Sequence, residues 1–133
     1  MTPGDPYEKG REVPTTPAEQ LIDKFMSTWH RGDIDEMLDF FADDAVYHNM
    51  PMAPAEGKPA IQELLSQFLG AMEGLEVEVH RQVANGNIVM HERTDHFSLG
   101  QQQMSLQICG VFEVDNGRIK AWREYFDMTA FSE

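Results

Sequence analysis

The spacing of apolar residues changes once along this 133-residue chain, near Gly74, and that change restricts the folds open to it. Before it, Leu21, Ile22, Phe25, Met26 and Trp29 recur at helical spacing, as do Ile61, Leu64, Leu65, Phe68, Leu69 and Met72. That is the period of an apolar helix stripe. After it, Leu75, Val77 and Val79 alternate with polar residues, the period of a half-buried strand. Helices therefore come first and strands after.

Local signals divide the two halves further. Thr16 is an N-cap, Pro17 suits the first helical position, Glu19 completes a capping box and Gly32 ends the first helix. Asp33, with Glu36 three residues on, starts a shorter helix that buries Ile34, Met37, Leu38 and Phe41 and is broken at Asp43-Asp44. Ala45–Asn49 reads as a short strand, Pro51, Pro54 and Gly57 as a loop, and Pro59 as the opening of a third helix. Asn-Gly pairs at 85–86 and 116–117 mark tight hairpins. Between and after them lie strands over Ile88–Leu99, Met104–Val114 and Arg118–Met128. The order predicts the α+β class: three helices with an early strand, then four long antiparallel strands. A sheet of that length curls, and the helices close a pocket against it. Residues 1–14, rich in proline, glycine and charge, read as a flexible tail, leaving 15–133 as one domain.

The remaining totals exclude more than they assign. With 23 Asp and Glu against 10 Lys and Arg, the formal charge is −13, so neither nucleic acid nor an anionic membrane is expected as a partner. Cys109 is the single cysteine, so neither an intrachain disulfide nor a cysteine zinc site is available. The histidines stand in no metal-ligand spacing, and no glycine-rich phosphate loop or serine elbow is present. No metal or cofactor is expected. The N-terminal stretch has no apolar core of a signal peptide, and a cytoplasmic protein is the expectation.

The third-last strand carries too much charge for its place. In Met90-His91-Glu92-Arg93-Thr94-Asp95-His96-Phe97, Arg93 and Asp95 share a face with His91, bracketed by Val89 and Phe97. Buried charge is costly unless paired and hydrogen-bonded. Tyr47 and Asn49, also two apart, share a face of the early strand, and Asp127 lies near the end of the last. Singly these have ordinary readings: a structural ion pair, a strand end, an exposed terminus. Together, two carboxylates with an arginine between them form one coupled titrating unit. One tends to keep its proton and can donate it to a leaving oxygen, while the other takes a proton from water. Tyr47 and Asn49 can hold that water. Acid-assisted addition of water to an epoxide fits the set.

Tyr47-His48-Asn49, Glu92-Arg93-Thr94-Asp95 and Trp122-Arg123-Glu124-Tyr125-Phe126-Asp127 resemble the limonene epoxide hydrolase family. That family lies within the cone-shaped α+β folds related to nuclear transport factor 2, the SnoaL-like group. The resemblance implies Asp95 as general acid on the epoxide oxygen, Asp127 as general base, Tyr47 and Asn49 as water ligands, and Arg93 bridging the aspartates. It also implies one-step hydrolysis to a vicinal diol, no cofactor, and a homodimer. Asp127 has the strand parity of Ile119, Ala121, Arg123 and Tyr125, whereas Trp122, Phe126 and Met128 are more apolar. A β-bulge is needed to aim it at the cavity of Arg93. Phe25, Trp29, Leu38, Met72, Val77, Leu106, Ile108, Phe126 and Phe131 are the expected apolar walls, suiting a lipophilic epoxide, terpene-like or sterol-like. The competing readings are a ketosteroid isomerase-like or polyketide cyclase-like proton-transfer enzyme and a non-catalytic carrier of lipophilic ligands. The bridging arginine favours water activation over either.

Overall fold

The structure, a computed structural model, describes residues 15–131; the tail expected over 1–14 lies outside them. The elements are α1 (Pro17–Ser27), α2 (Ile34–Leu38), β1 (Phe41–Asn49), β2 (Ala55–Glu56), α3 (Lys58–Ala71), β3 (Glu73–Asn85), β4 (Ile88–Leu99), β5 (Gln102–Asp115) and β6 (Arg118–Tyr125). A 3₁₀ turn over Met128–Phe131 follows. Among the described residues no helix is long and apolar enough to cross a membrane.

The capping signals act as the sequence predicts. The Thr16 hydroxyl accepts from the Glu19 amide at 3.1 Å, and Asp33 accepts from the Glu36 amide at 3.2 Å. Helix α1 ends sooner than expected, at Ser27. The hydroxyls of Ser27 and Thr28 each donate to a carbonyl three residues back, at 2.6 Å, a local bond that competes with helix continuation. Trp29 therefore leaves the helix but stays buried. The first hairpin is centred one residue later than its Asn-Gly pair suggests. Asn85 pairs with Ile88, so Gly86, at φ 62°, takes the first central position, where a type II′ turn requires glycine.

The six strands form one open sheet in the order β2-β1-β6-β5-β4-β3. Only the β1–β6 pair is parallel, so the earliest long strand lies beside the last and the sheet is mixed. The helices cover the inner face. There Trp122 stacks between its cross-strand neighbours Tyr47 (4.2 Å, 9°) and Phe112 (5.2 Å, 18°). Phe25 of α1 meets Trp122 edge-on at 5.1 Å. Such aromatic pairs add about 0.5–1.5 kcal/mol beyond their buried area. This cluster fixes the lower half of the sheet. A second cluster of Phe97, Met104, Leu106 and Ile108, with Met72, Leu99, Phe126 and Phe131 against it, occupies the other half and walls a cavity. The result is an α+β fold with a curved sheet around a pocket, as expected.

Candidate active site

The register of the sheet sets the site. Asn49, Glu124, Gly110, His91 and Gln82 form one row across β1, β6, β5, β4 and β3. In the middle of that row Gly110 carries no side chain, and the gap is where the polar groups meet. Arg93, one inward position along β4, extends over it. Its Nε donates to Asp95 Oδ1 at 2.9 Å and its Nη2 to Asp95 Oδ2 at 3.2 Å. Nη1 donates to Glu124 Oε2 at 2.9 Å, and Nη2 donates to Glu124 Oε1 as well. Trp122 Nε1 donates to Glu124 Oε2 at 2.8 Å. Arg93, Asp95 and Glu124 are 3%, 8% and 2% exposed, so a salt bridge here is desolvated and each missing partner is costly.

Burial and charge act in opposition on these groups. Burial alone would lower the Arg93 pKa, but Glu124 and then Asp95 more than reverse that, and the guanidinium stays charged. Burial lifts the Glu124 carboxyl above the ordinary carboxylate value, against the pull of Arg93. Burial, then the Glu124 charge, raises Tyr47, keeping its hydroxyl protonated. Asn49 is buried beside Glu124, and among the described residues its Nδ2 has no hydrogen-bond partner. A buried amide donor in that state costs about 1–3 kcal/mol unless something accepts from it.

Above the cluster lies a cavity of about 240 Å³. Tyr47, Asn49, Arg93, Asp95 and Glu124 form its polar floor, and Trp29, Met72, Leu106, Ile108, Phe126 and Phe131 are among its apolar walls. Of the expected wall residues, Phe25 belongs to the aromatic core, and Leu38 and Val77 pack against that core rather than lining the cavity.

Asp127 lies apart from this cluster. Asp127 follows the end of β6, is exposed, and does not line the cavity. Its Oδ1 accepts the Thr129 amide at 2.9 Å, which holds its pKa below the usual range. Asp127 caps the turn into the 3₁₀ segment. The carboxylate opposite Asp95 on the arginine is Glu124. The physical reason is an irregularity in β6, at Lys120. Glu113 pairs with Ala121 but Val114 pairs with Ile119, so the inward parity reverses between Ile119 and Trp122. A bulge does exist, but it turns Trp122 and Glu124 inward and leaves Asp127 outside. Glu124, bracketed by Trp122 and Phe126, had the same signal in sequence as Arg93 and Asp95: charge between apolar residues of one parity.

Gly110 was not singled out either. Its backbone has ordinary φ, so space and not conformation demands glycine. A Cβ there would lie 2.7 Å from Glu124 Oε2 and 3.2 Å from both Arg93 Nη1 and His91 Nε2. We expect Gly110→Ala to lose about 1–3 kcal/mol by overpacking. Because the displaced atoms are the guanidinium and its carboxylate, kcat should fall about tenfold or more. Thermal melting and steady-state kinetics on the same sample check both, and unchanged kcat would show that the cluster tolerates displacement.

A helix-covered curved sheet, with a carboxylate–guanidinium–carboxylate cluster beneath an apolar cavity, defines a small-molecule pocket with ionisable groups at its floor. The model of the limonene-1,2-epoxide hydrolase catalytic domain matches residues 16–132, and the chain belongs to that family. It is 38% identical over 107 residues to the epoxide hydrolase EphG of Mycobacterium tuberculosis (strain ATCC 25618 / H37Rv), covering 80% of this chain and 71% of that protein. A solved M. tuberculosis LEH-like epoxide hydrolase superposes with a TM-score of 0.76 at 37% identity, over 87% of this chain and 86% of that one. A SnoaL-like polyketide cyclase from Shewanella putrefaciens, at 15% identity and a TM-score of 0.79 over 90% and 96% of the two chains, shares the fold alone.

Proposed function

We propose that this epoxide hydrolase opens a small lipophilic cyclic epoxide, of terpene-like size, to a vicinal diol by direct addition of water. Asp95 acts as acid, Glu124 as base, and Arg93 couples them. The observation that carries the reading is Arg93 held between two buried carboxylates beside the unpartnered Asn49 amide.

The roles follow from the donors. Glu124 receives Nη1, Nη2 and Trp122 Nε1, whereas Asp95 receives Nε and Nη2. More donors favour the ionised form, which suits Glu124 to the base, and Asp95, the more exposed of the two, is left as the acid that the family resemblance implies. The burial that raises the Glu124 pKa makes it a stronger base than an ordinary carboxylate. Asn49 Nδ2 donates to the water oxygen, and the water's protons face Glu124 and the Tyr47 hydroxyl oxygen. One lone pair is left for carbon. As the water O–C bond forms, its proton passes to Glu124. The epoxide C–O bond breaks, and its oxygen takes the Asp95 proton. Before the step the unit holds neutral Asp95, cationic Arg93 and anionic Glu124; after it the carboxyl charges have exchanged. Its net charge is zero throughout, so no uncompensated charge develops in a dry pocket.

The size of the cavity supports the smaller of the two substrate classes. At about 240 Å³ it falls below the roughly 300–1,000 Å³ of sites for drug-sized ligands. That fits a terpene-like ring and not a sterol-like one.

The test is a single turnover of a cyclic epoxide panel in oxygen-18 water with unlabelled enzyme in excess. We expect the diol to carry one label from the first turnover. Unlabelled diol would mean that a carboxylate oxygen was transferred, and no diol from any member would overturn the substrate reading.

A further inference from the structure

We propose that His91, backed by Gln82, is a positioning residue that locks the Arg93 guanidinium between Asp95 and Glu124. The proposal rests on the acid–base reading above. Arginine has five N–H donors. Four are taken by the carboxylates. The fifth, on Nη1, points at His91 Nε2 at 3.0 Å. His91 is 3% exposed, and Arg93 has no lone pair to offer, so Nε2 must be the acceptor and the ring proton must sit on Nδ1. Nδ1 lies 3.1 Å from Gln82 Oε1. The Gln82 amide is oriented in turn by helix α1: its Nε2 donates to Asp23 Oδ1 at 2.8 Å and Glu19 Oε2 at 3.2 Å. Carboxylates accept only, so the amide cannot be reversed.

The chain runs head to tail from α1 through Gln82, His91 and Arg93 to both carboxylates, and each bond polarises the next. The ring is held besides by Phe112, edge-on at 5.2 Å. Burial and then the Arg93 charge push His91 down to about 3, so it is a neutral acceptor at working pH.

The sequence of β3 carries the second observation. Val77 pairs with Asp95 and Val79 with Arg93, but Arg81 pairs with Glu92 and Gln82 with His91. Continued without that shift, the register would set Arg81 opposite His91 and place a second cation on the inner face. The extra residue of the bulge turns Arg81 outward, where it bonds Glu92, and brings in a neutral amide. Bulges that re-aim a side chain beside a site are functional features.

The test compares His91→Gln, which keeps an acceptor, His91→Phe, which keeps only a ring, and Gln82→Leu. Epoxide kinetics are read beside the nitrogen-15 spectra of the His91 ring and the Arg93 guanidinium. In the unmutated protein we expect the Nδ1–H tautomer and resolved Arg93 η protons, the mark of a guanidinium that does not rotate. His91→Phe should merge those protons and lower kcat about 10–100-fold with KM nearly unchanged, the effect of misplacing a reacting group. His91→Gln should restore most of kcat, and Gln82→Leu should mix the tautomers. An Nε2–H tautomer in the unmutated protein, or equal losses in the Phe and Gln variants, would overturn the proposal. If His91→Phe does not fold, the tautomer in the unmutated protein and its response to Gln82→Leu decide alone. The spectra need no substrate, so failure of epoxide turnover with a locked, His91-dependent guanidinium would count against the hydrolase reading only.

Discussion

Glu124→Gln is expected to lower the single-turnover rate by about 10²–10⁴, the usual effect of removing a positioned proton-transfer group, while the protein stays folded. The amide cannot take the water's proton, and it removes one negative charge from a unit built to sum to zero. Arg93 is charged in every state, so the unit loses the neutral balance on which both halves of the proton exchange depend. The acid is lost with the base. For that reason Asp95→Asn should cost about as much as Glu124→Gln, and the double variant little more than either, the pattern of groups that act as one unit. Asp127→Asn should leave the rate within about twofold, as an exposed side chain that touches no reacting atom does. Rapid-quench measurement of diol formation on all four variants, with circular dichroism as the folding control, checks the set. Severe loss in Asp127→Asn with normal turnover by Glu124→Gln would return the base to Asp127.

That reversal shows what a strand sequence can and cannot convey. Period, caps and turns are local, and they located the starts of α1 and α2 and the whole of β4; the helices end earlier than their apolar periods suggest, and Phe41 belongs to β1 instead of α2. Arg93, Asp95, Tyr47 and Asn49 were legible because each pair obeys the two-residue period within one regular strand. Asp127, which the resemblance implies as base, stands outside the cavity because β6 is not regular: the bulge at Lys120, opposite Glu113–Val114, reverses inward parity partway along the strand, and parity counted from Ile119 leads to Asp127. Counted from Trp122 it leads to Glu124. The same cause hid Gln82, whose inward place depends on the bulge in β3. Gly110 was illegible for another reason. Its meaning is the absence of a side chain between three others, which arises only once β4, β5 and β6 are in register.

The charge unit also sets how the fold responds to losing its cation. Arg93→Leu keeps apolar volume but strands two carboxylates in a site where both are at least nine-tenths buried. Breaking a buried pair by removing one partner costs about 3–5 kcal/mol, a large share of the stability of a domain this size. That loss should depend on pH with a definite sign. Glu124 is already raised by burial against the pull of Arg93; without that pull its folded pKa rises further above its unfolded value. Between those two values the folded state binds more protons than the unfolded one, so the variant loses stability as pH rises through the window. Well below the unfolded value the carboxyl is protonated in both states and the penalty of a bare buried charge is absent. Urea unfolding should therefore show the variant's deficit smallest at about pH 4 and growing toward about pH 8. Equal deficits at both pH values would mean that Glu124 does not depend on Arg93 for its charge. Replacing Arg93, Asp95 and Glu124 together by apolar residues of similar volume removes the charges as well as the cation, and such replacements are often neutral or stabilising. We expect that triple variant to recover the stability lost by Arg93→Leu without recovering turnover, which would place the reason for keeping this cluster in its chemistry and not in the fold.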